Sequence, residues 1–190
     1  MPGYILTGTP GAGKTAILRQ LELNGHAVVE EAATDVIALL HALGNPEPWR
    51  SPAFVDQIVA LQRQRQLAAG TASRGTTFFD RSPVCTLALS RYSSLRPSSC
   101  LLEEIERVKA ERSYERTVFF VRNQGFVETT AARRISLEDS LLFEQIHELT
   151  YREYGFDLIE VPAAPLPARV AVVQQAVGVR VIATSASAES

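Results

Sequence analysis

Residues Gly8-Thr9-Pro10-Gly11-Ala12-Gly13-Lys14-Thr15 meet the pattern G-x-x-x-x-G-K-[ST] at every fixed position. Such a loop works only between a strand that ends beneath it and a helix that starts from it, so the motif dictates local architecture as well as chemistry. Tyr4-Ile5-Leu6-Thr7 supplies the strand, and the spacing of Ile17, Leu18 and Leu21 supplies one face of the helix. Glycines let consecutive backbone N–H groups turn toward phosphate oxygens, and the helix beginning near Gly13 adds partial positive charge. Gly8, Thr9, Pro10, Gly11, Ala12, Gly13, Lys14, Thr15 and Ala16 are therefore the expected nucleotide-binding residues. Lys14 is expected to reach the β and γ phosphates, and Thr15 to offer a hydroxyl to Mg²⁺. The competing reading is an ordinary glycine-rich turn. Against it, only Lys14 and Lys109 are lysines among 19 basic residues, so a lysine here is not background.

At 190 residues and 46% hydrophobic content the chain is expected to form one domain over residues 1–178, with a small, polar, flexible tail at 179–190. A net charge of −2 and a pI near 6.0 give no footprint for nucleic acid. Cys85 and Cys100 match no metal spacing, and their plainest role is as small buried hydrophobes in a reducing cytosol. No apolar run approaches 18 residues, and the first strand starts within four residues of Met1, so neither a membrane span nor a targeting segment is expected. The expected setting is cytoplasmic.

Short apolar stretches alternate with helical patterns, which implies a parallel sheet with helices on both faces. Strands are expected at 4–7, 27–29, 76–79, 117–121 and 158–161. Helices are expected through Ile17 to Leu21, from Val36 to Leu43, and from Ser51-Pro52 through Phe54, Ile58 and Leu61. Others are expected after Ser82-Pro83, from Leu101 to Val108, from a capping box at Ser136 and Asp139 through Leu142, Ile146 and Leu149, and from Pro167 to Val177.

Thr76-Thr77-Phe78-Phe79-Asp80 ends a strand in a carboxylate, the form that orients Mg²⁺ or its waters beside a phosphate loop, although a helix cap would look the same. Arg81 follows it at the edge where open α/β sheets bind ligands, suited to charge on a transferring phosphoryl. Val28-Val29-Glu30-Glu31 places two acids at the same edge. Glu31 is expected to orient an acceptor hydroxyl; the alternative is a solvated acidic pair starting a helix. The polar stretch from Arg122 through Arg133 and Arg134, about 122–135, reads either as a lid closing its arginines over the phosphates or as a surface loop. Trp49, Arg50, Phe54, Gln57, Gln62 and Arg63 are a candidate acceptor pocket, and packing would explain them equally well.

These motifs resemble a known group, the bacterial P-loop kinase-like AAA domain family related to ribosylnicotinamide kinase and, more distantly, the deoxynucleoside kinases. The likeness spans 4 to about 175. It rests on the loop at 9–15, Val-Val-Glu-Glu-Ala-Ala at 28–33, Pro-Trp-Arg at 48–50, Phe-Phe-Asp-Arg-Ser at 78–82, and Tyr154-Gly155-Phe156 leading to Val161-Pro162. The resemblance implies a P-loop NTPase fold, three-layer α/β/α with a five-stranded parallel sheet in the order 2-3-1-4-5. It also implies ATP and Mg²⁺ as cosubstrates, Glu31 as the acceptor-orienting carboxylate, and Asp80-Arg81-Ser82 as the family's acidic-Arg-Ser motif. One departure is Thr34, where relatives tend to carry an arginine. The expected activity is phosphotransfer from ATP to a hydroxyl of a nucleoside or other hydroxylated metabolite. Lys14, Glu31, Asp80, Arg81, Arg133 and Arg134 would carry it, with Thr15 and Asp80 at the metal. The rivals are a regulatory NTPase switch and a non-catalytic nucleotide-binding module. The expected partners are a nucleotide and a small acceptor, with no nucleic acid and no membrane; a homodimer stays open.

Overall fold

Ile5 and Leu6, adjacent on the first strand, are both fully buried but belong to different cores. Successive side chains on a strand point to opposite faces, so a strand apolar at every position must be covered on both sides. Phe78 and Phe79, and Val118 and Phe119, repeat the device on the neighbouring strands. A three-layer sandwich follows directly.

The computed structural model describes residues 3–51, 53–72, 75–124 and 137–178. In chain order its elements are β1 (Gly3–Thr7), α1 (Lys14–Leu23), β2 (Ala27–Val29), α2 (Ala32–Ala42), α3 (Ala53–Ala72), β3 (Thr77–Asp80), α4 (Pro83–Tyr92), α5 (Ser99–Ala110), β4 (Tyr114–Val121), α6 (Leu137–Glu153), β5 (Asp157–Val161) and α7 (Leu166–Ala176), with a short 3₁₀ turn at Pro48–Arg50. All strands pair in parallel, in the order β2-β3-β1-β4-β5 that the resemblance implied. One core is closed by α1 and α7 through Ile17, Leu18, Leu21, Val170 and Val173. The opposite core takes Val55 and Val59 from α3, Leu87 from α4, Ile105 from α5 and Tyr151 from α6. A third cluster, Ala32, Val36, Phe54 and Ile58, packs α2 on α3.

Parallel strands end at one edge, so Thr7, Val29, Asp80 and Val121 deliver the segments that follow them to the same side of the sheet. Gly8 shows how tightly that edge is packed. Its φ is +134°, and a Cβ there would lie 2.2 Å from the Val121 carbonyl oxygen, so only glycine lets the loop pass over the end of β4.

Three expectations need correction. Phe54 belongs to the α2–α3 cluster, Arg63 pairs with Glu104, and Trp49 is half-exposed against His41, so the pocket expected from residues 49–63 is not assembled. Gln62 is buried and accepts from the Thr86 hydroxyl. On α6 the apolar positions Leu142 and Leu149 are exposed, while Ser140, Phe143, Glu144, His147, Thr150 and Tyr151 are buried. That inward face meets α4 and the segment after β4, with Phe143 against Tyr92, and Arg91 and Asn123 donating to the Thr150 and Ser140 hydroxyls. Ser82 precedes Pro83 at the start of α4 but caps nothing with its side chain, its hydroxyl being engaged by Tyr151. Ser136 lies outside the described residues, while its expected capping partner Asp139 stands in the first turn of α6.

Candidate functional site

Lys14 is the first residue of α1 and almost fully buried, its ammonium folded back on the loop to donate to the carbonyls of Gly8 (3.1 Å) and Thr9 (2.9 Å). Burial, followed by the Arg81 cation, lowers its pKa to about 8, with Asp80 and Glu31 pulling the other way. Thr9 Oγ1 is buried without a partner, Gly11 and Gly13 hold φ of +84°, and the space over Gly11 is open. A loop with its lysine held only by its own carbonyls fits polyphosphate, whose oxygens would take over those bonds.

Asp80 closes β3 beside β1, in register with Leu6, and its Oδ1 is buried with no hydrogen-bond partner. Burial raises its pKa against the lowering pull of Lys14 and Arg81. Among the described residues no cluster of three or more His, Cys, Asp or Glu groups forms a protein-only cation cage. That suits Mg²⁺, which commonly takes one or two protein oxygens and fills its shell with phosphates and water. Asp80 and the exposed Thr15 line the same cleft, of about 160 Å³, together with Glu30, Glu31, Thr34 and Asp35.

Arg81 follows with φ of +73°, an uncommon conformation for a side-chain-bearing residue, and its N–H donates to the Leu6 carbonyl at 3.0 Å. The bend swings the guanidinium to the ligand edge, where Nε ion-pairs with Glu31. Glu31 also accepts from the Thr34 hydroxyl at 2.9 Å. Burial raises its pKa, but Arg81, Lys14 and Thr34 outweigh that and bring it to about 2. The two neighbouring acids divide cleanly: Glu31 turns to Arg81, while Glu30 turns outward to Arg19. The Thr34 hydroxyl thus fastens the Glu31 carboxylate.

Sequence reasoning overlooked four supports. Arg65 reaches from α3 to donate to the carbonyls of Glu30 (3.0 Å) and Glu31 (2.9 Å) and pairs with Asp35, fixing the β2–α2 junction. Below Arg81, Ser82 Oγ meets Tyr151 OH at 2.7 Å; Tyr151 OH lies 3.0 Å from Cys85 Sγ, itself 3.0 Å from Thr7 Oγ1. This polar chain ties the root of the phosphate loop to α4 and α6. One turn before Tyr151, His147 lies fully buried, Nδ1 donating to the Phe143 carbonyl at 3.0 Å. A carbonyl only accepts, so Nε2 is a bare lone pair, and it has no partner. Burial, then the Arg81 and Lys14 charges, lowers this imidazole to about 3, so it is neutral at physiological pH. The partners of Arg65 and of the Thr7–Cys85–Tyr151–Ser82 chain come from distant parts of the sequence, so no local pattern could have found them.

The 122–135 segment is described only at its start. Arg122 is held by Glu144, Glu148 and Glu160 and lies over the Phe120 ring, which removes it from the expected set of phosphate-facing arginines. Asn123 N–H donates to Glu144 at 2.9 Å. Arg133 and Arg134 lie outside the described residues. A larger groove, of about 440 Å³ between β2 and α3, holds only Glu30 and Arg65 as charged groups. Both are already paired, so it lacks the convergent chemistry of the smaller cleft.

A family model described as AAA domain matches residues 3–169. The chain belongs to the AAA domain family. Its sheet order, phosphate loop and layering are those of the P-loop NTPase fold. Two solved structures of a deoxyadenosine kinase from M. mycoides share that fold. One, with products dCMP and a flexible dCDP bound, has a TM-score of 0.59 at 14% identity, covering 93% of this chain and 98% of the other. The second, with dATP bound, has a TM-score of 0.57 at 14% identity over 93% and 99%. No curated protein matches the sequence. Among the described residues no helix is long and apolar enough to cross a membrane.

Proposed function

We propose that this AAA domain protein is an ATP- and Mg²⁺-dependent phosphotransferase acting on a hydroxyl of a small molecule, with nucleosides the first class to test. The observation that carries the reading is the Glu31–Arg81 ion pair, whose carboxylate is partly buried and lines the same cleft as Thr15 and Asp80. A switch or a passive binding module has no need of such a carboxylate, whereas transfer to a hydroxyl needs an acceptor-orienting base. The fold shared with a deoxyadenosine kinase supports the nucleoside class, and the relation to ribosylnicotinamide kinase belongs to the same proposal.

In this reading Lys14 exchanges the Gly8 and Thr9 carbonyls for phosphate oxygens, and the loop amides hold the rest. Thr15 and Asp80 would hold Mg²⁺, which when bound neutralises charge on the phosphates. At a pKa of about 2, Glu31 is too weakly basic while Arg81 holds it. Phosphate competes for the Arg81 guanidinium, so loading the donor frees Glu31 to accept a hydrogen bond from the acceptor hydroxyl, while Arg81 faces the transferred group. Arg133 and Arg134 are proposed to close over the phosphates from a lid at about 122–135. The test is ADP formation from ATP and Mg²⁺ against a panel of nucleosides and hydroxylated metabolites. One compound that raises turnover and gains a phosphate supports the proposal; phosphate release with no acceptor dependence supports a switch instead.

A further inference from the structure

Arg169 stands in the first turn of α7 and is only 2% exposed, yet no carboxylate lies within ion-pair reach of it among the described residues. Its Nη2 donates to the Ala12 carbonyl of the phosphate loop, and its Nε is buried with no acceptor. Other largely enclosed arginines in this protein are paired. Arg81, with its side chain 11% exposed, has Glu31; Arg107, at 13%, has Glu104 and Glu111; Arg122 has three glutamates. Burying a guanidinium without a counter-charge is among the costlier things a fold can do, and burial alone lowers the Arg169 pKa with no acidic neighbour to offset it.

The location supplies the reason. Nη1 sits 2.7 Å, and Cζ 3.6 Å, from the point where a Cβ on Gly13 would stand, so the guanidinium lies directly behind the last turn of the loop, at the N-terminus of α1. Gly13 must be glycine on two counts: its φ of +84° and the guanidinium in that space. The helix end is itself a pole of positive potential, so two sources of the same sign converge on the loop from behind.

We propose that Arg169 is an electrostatic positioning residue for the nucleotide, a cation stored behind the phosphate loop whose counter-charge is the bound polyphosphate. It acts through the Ala12–Gly13 backbone, aiming the Ala12 carbonyl away from the ligand and adding attraction without touching it. This rests on the nucleotide reading of the loop. It predicts that nucleotide affinity depends on the charge of residue 169, while the ligand-free fold gains nothing from that charge.

The experiment is calorimetric titration of ADP with Mg²⁺ into wild type, R169K, R169Q and R169M, with melting curves of each ligand-free protein. R169Q and R169M should bind ADP roughly 10- to 100-fold more weakly, the scale of a unit charge attraction across a residue's width at a surface-like dielectric. R169K should stay within about threefold of wild type by the same Coulomb argument. Ligand-free R169M should melt no lower than wild type, because an unpaired charge has left the interior. If R169K loses as much affinity as R169M, or if all variants bind like wild type, Arg169 is only a hydrogen bond to Ala12 and the proposal is overturned. Should R169M not fold, the contrast between R169Q and R169K decides in the same way. Wild type that binds no ADP overturns the nucleotide reading itself, a result distinct from wild type and all variants binding equally.

Discussion

The phosphate loop offers its ligand backbone, whereas the wall facing it, from Glu30 to Asp35 with Arg81, offers side chains held by other side chains. Residues 8–13 are shaped by positive φ at Gly8, Gly11 and Gly13, and the loop contributes only Lys14 and Thr15 as side-chain chemistry. The opposite wall is a relay in which Arg65 fixes the backbone of Glu30 and Glu31, Thr34 and Arg81 hold the Glu31 carboxylate, and Ser82 anchors to Tyr151. A backbone site is encoded within eight residues. The side-chain wall needs partners from α3, β3 and α6, so under the proposed kinase reading it could be retuned for a different acceptor without disturbing the phosphate loop.

If that division holds, substitutions on the two sides separate cleanly. Lys14→Ala should lower phosphotransfer by more than about 10³-fold, because a charged donor to the transferring group is lost. Its ligand-free melting temperature should stay at or above wild type, since burial already strains the ammonium toward its neutral form. A large drop in that temperature would show that Lys14 also carries the fold.

Glu31→Gln should cost roughly 10²- to 10⁴-fold in kcat while ATP affinity changes little. Loss of ATP binding would move Glu31 to the donor side and erase the contrast. The same variant tests linkage. The carboxylate falls from an ordinary 4.5 to about 2 on folding, so its stabilisation is fully present above pH 4.5 and is lost as pH falls through 2. Urea titrations from pH 6 to 2 should show wild type losing about 1–3 kcal/mol over that window beyond the loss seen in Glu31→Gln.

Asp80→Asn should raise the Mg²⁺ concentration for half-maximal rate by about tenfold, leaving metal-free nucleotide binding nearly unchanged. Identical Mg²⁺ curves would reduce Asp80 to a strand-end residue. The mildest change is Tyr151→Phe, which removes the hydroxyl between Ser82 and Cys85 and should cost about 1 kcal/mol in stability. A kcat loss without a stability loss would place the polar chain inside the reaction.

Much of the architecture was legible because it is local. The five strands lie within three residues of where apolar runs and turn signals put them, β4 beginning earlier because Tyr114-Glu115-Arg116 reads as polar although Tyr114 pairs with Gly3 ahead of a register shift in the ladder. The faces of α6 were misread for the opposite reason. Leu142 and Leu149 suggested an apolar stripe, but the helix turns Ser140, His147 and Thr150 inward, where Asn123 and Arg91 donate to the Ser140 and Thr150 hydroxyls. Periodicity reports how a helix divides its residues, not which side its neighbours leave polar.

By itself the sequence determined the phosphate loop, the alternation of short strands with helices and the acids and arginine at the strand ends, since each is read from residues close together in the chain; the strand order came from the family resemblance, its pairings joining residues such as Tyr4 and Phe78. Only the tertiary structure decided that Glu31 rather than Glu30 faces Arg81, that Arg122 is consumed by three glutamates, and that Arg169 stands behind Gly13 with no carboxylate partner among the described residues. The physical reason is range. A backbone conformation is set by its own residue and near neighbours, whereas the fate of a charge depends on every group that burial brings within a few ångströms of it.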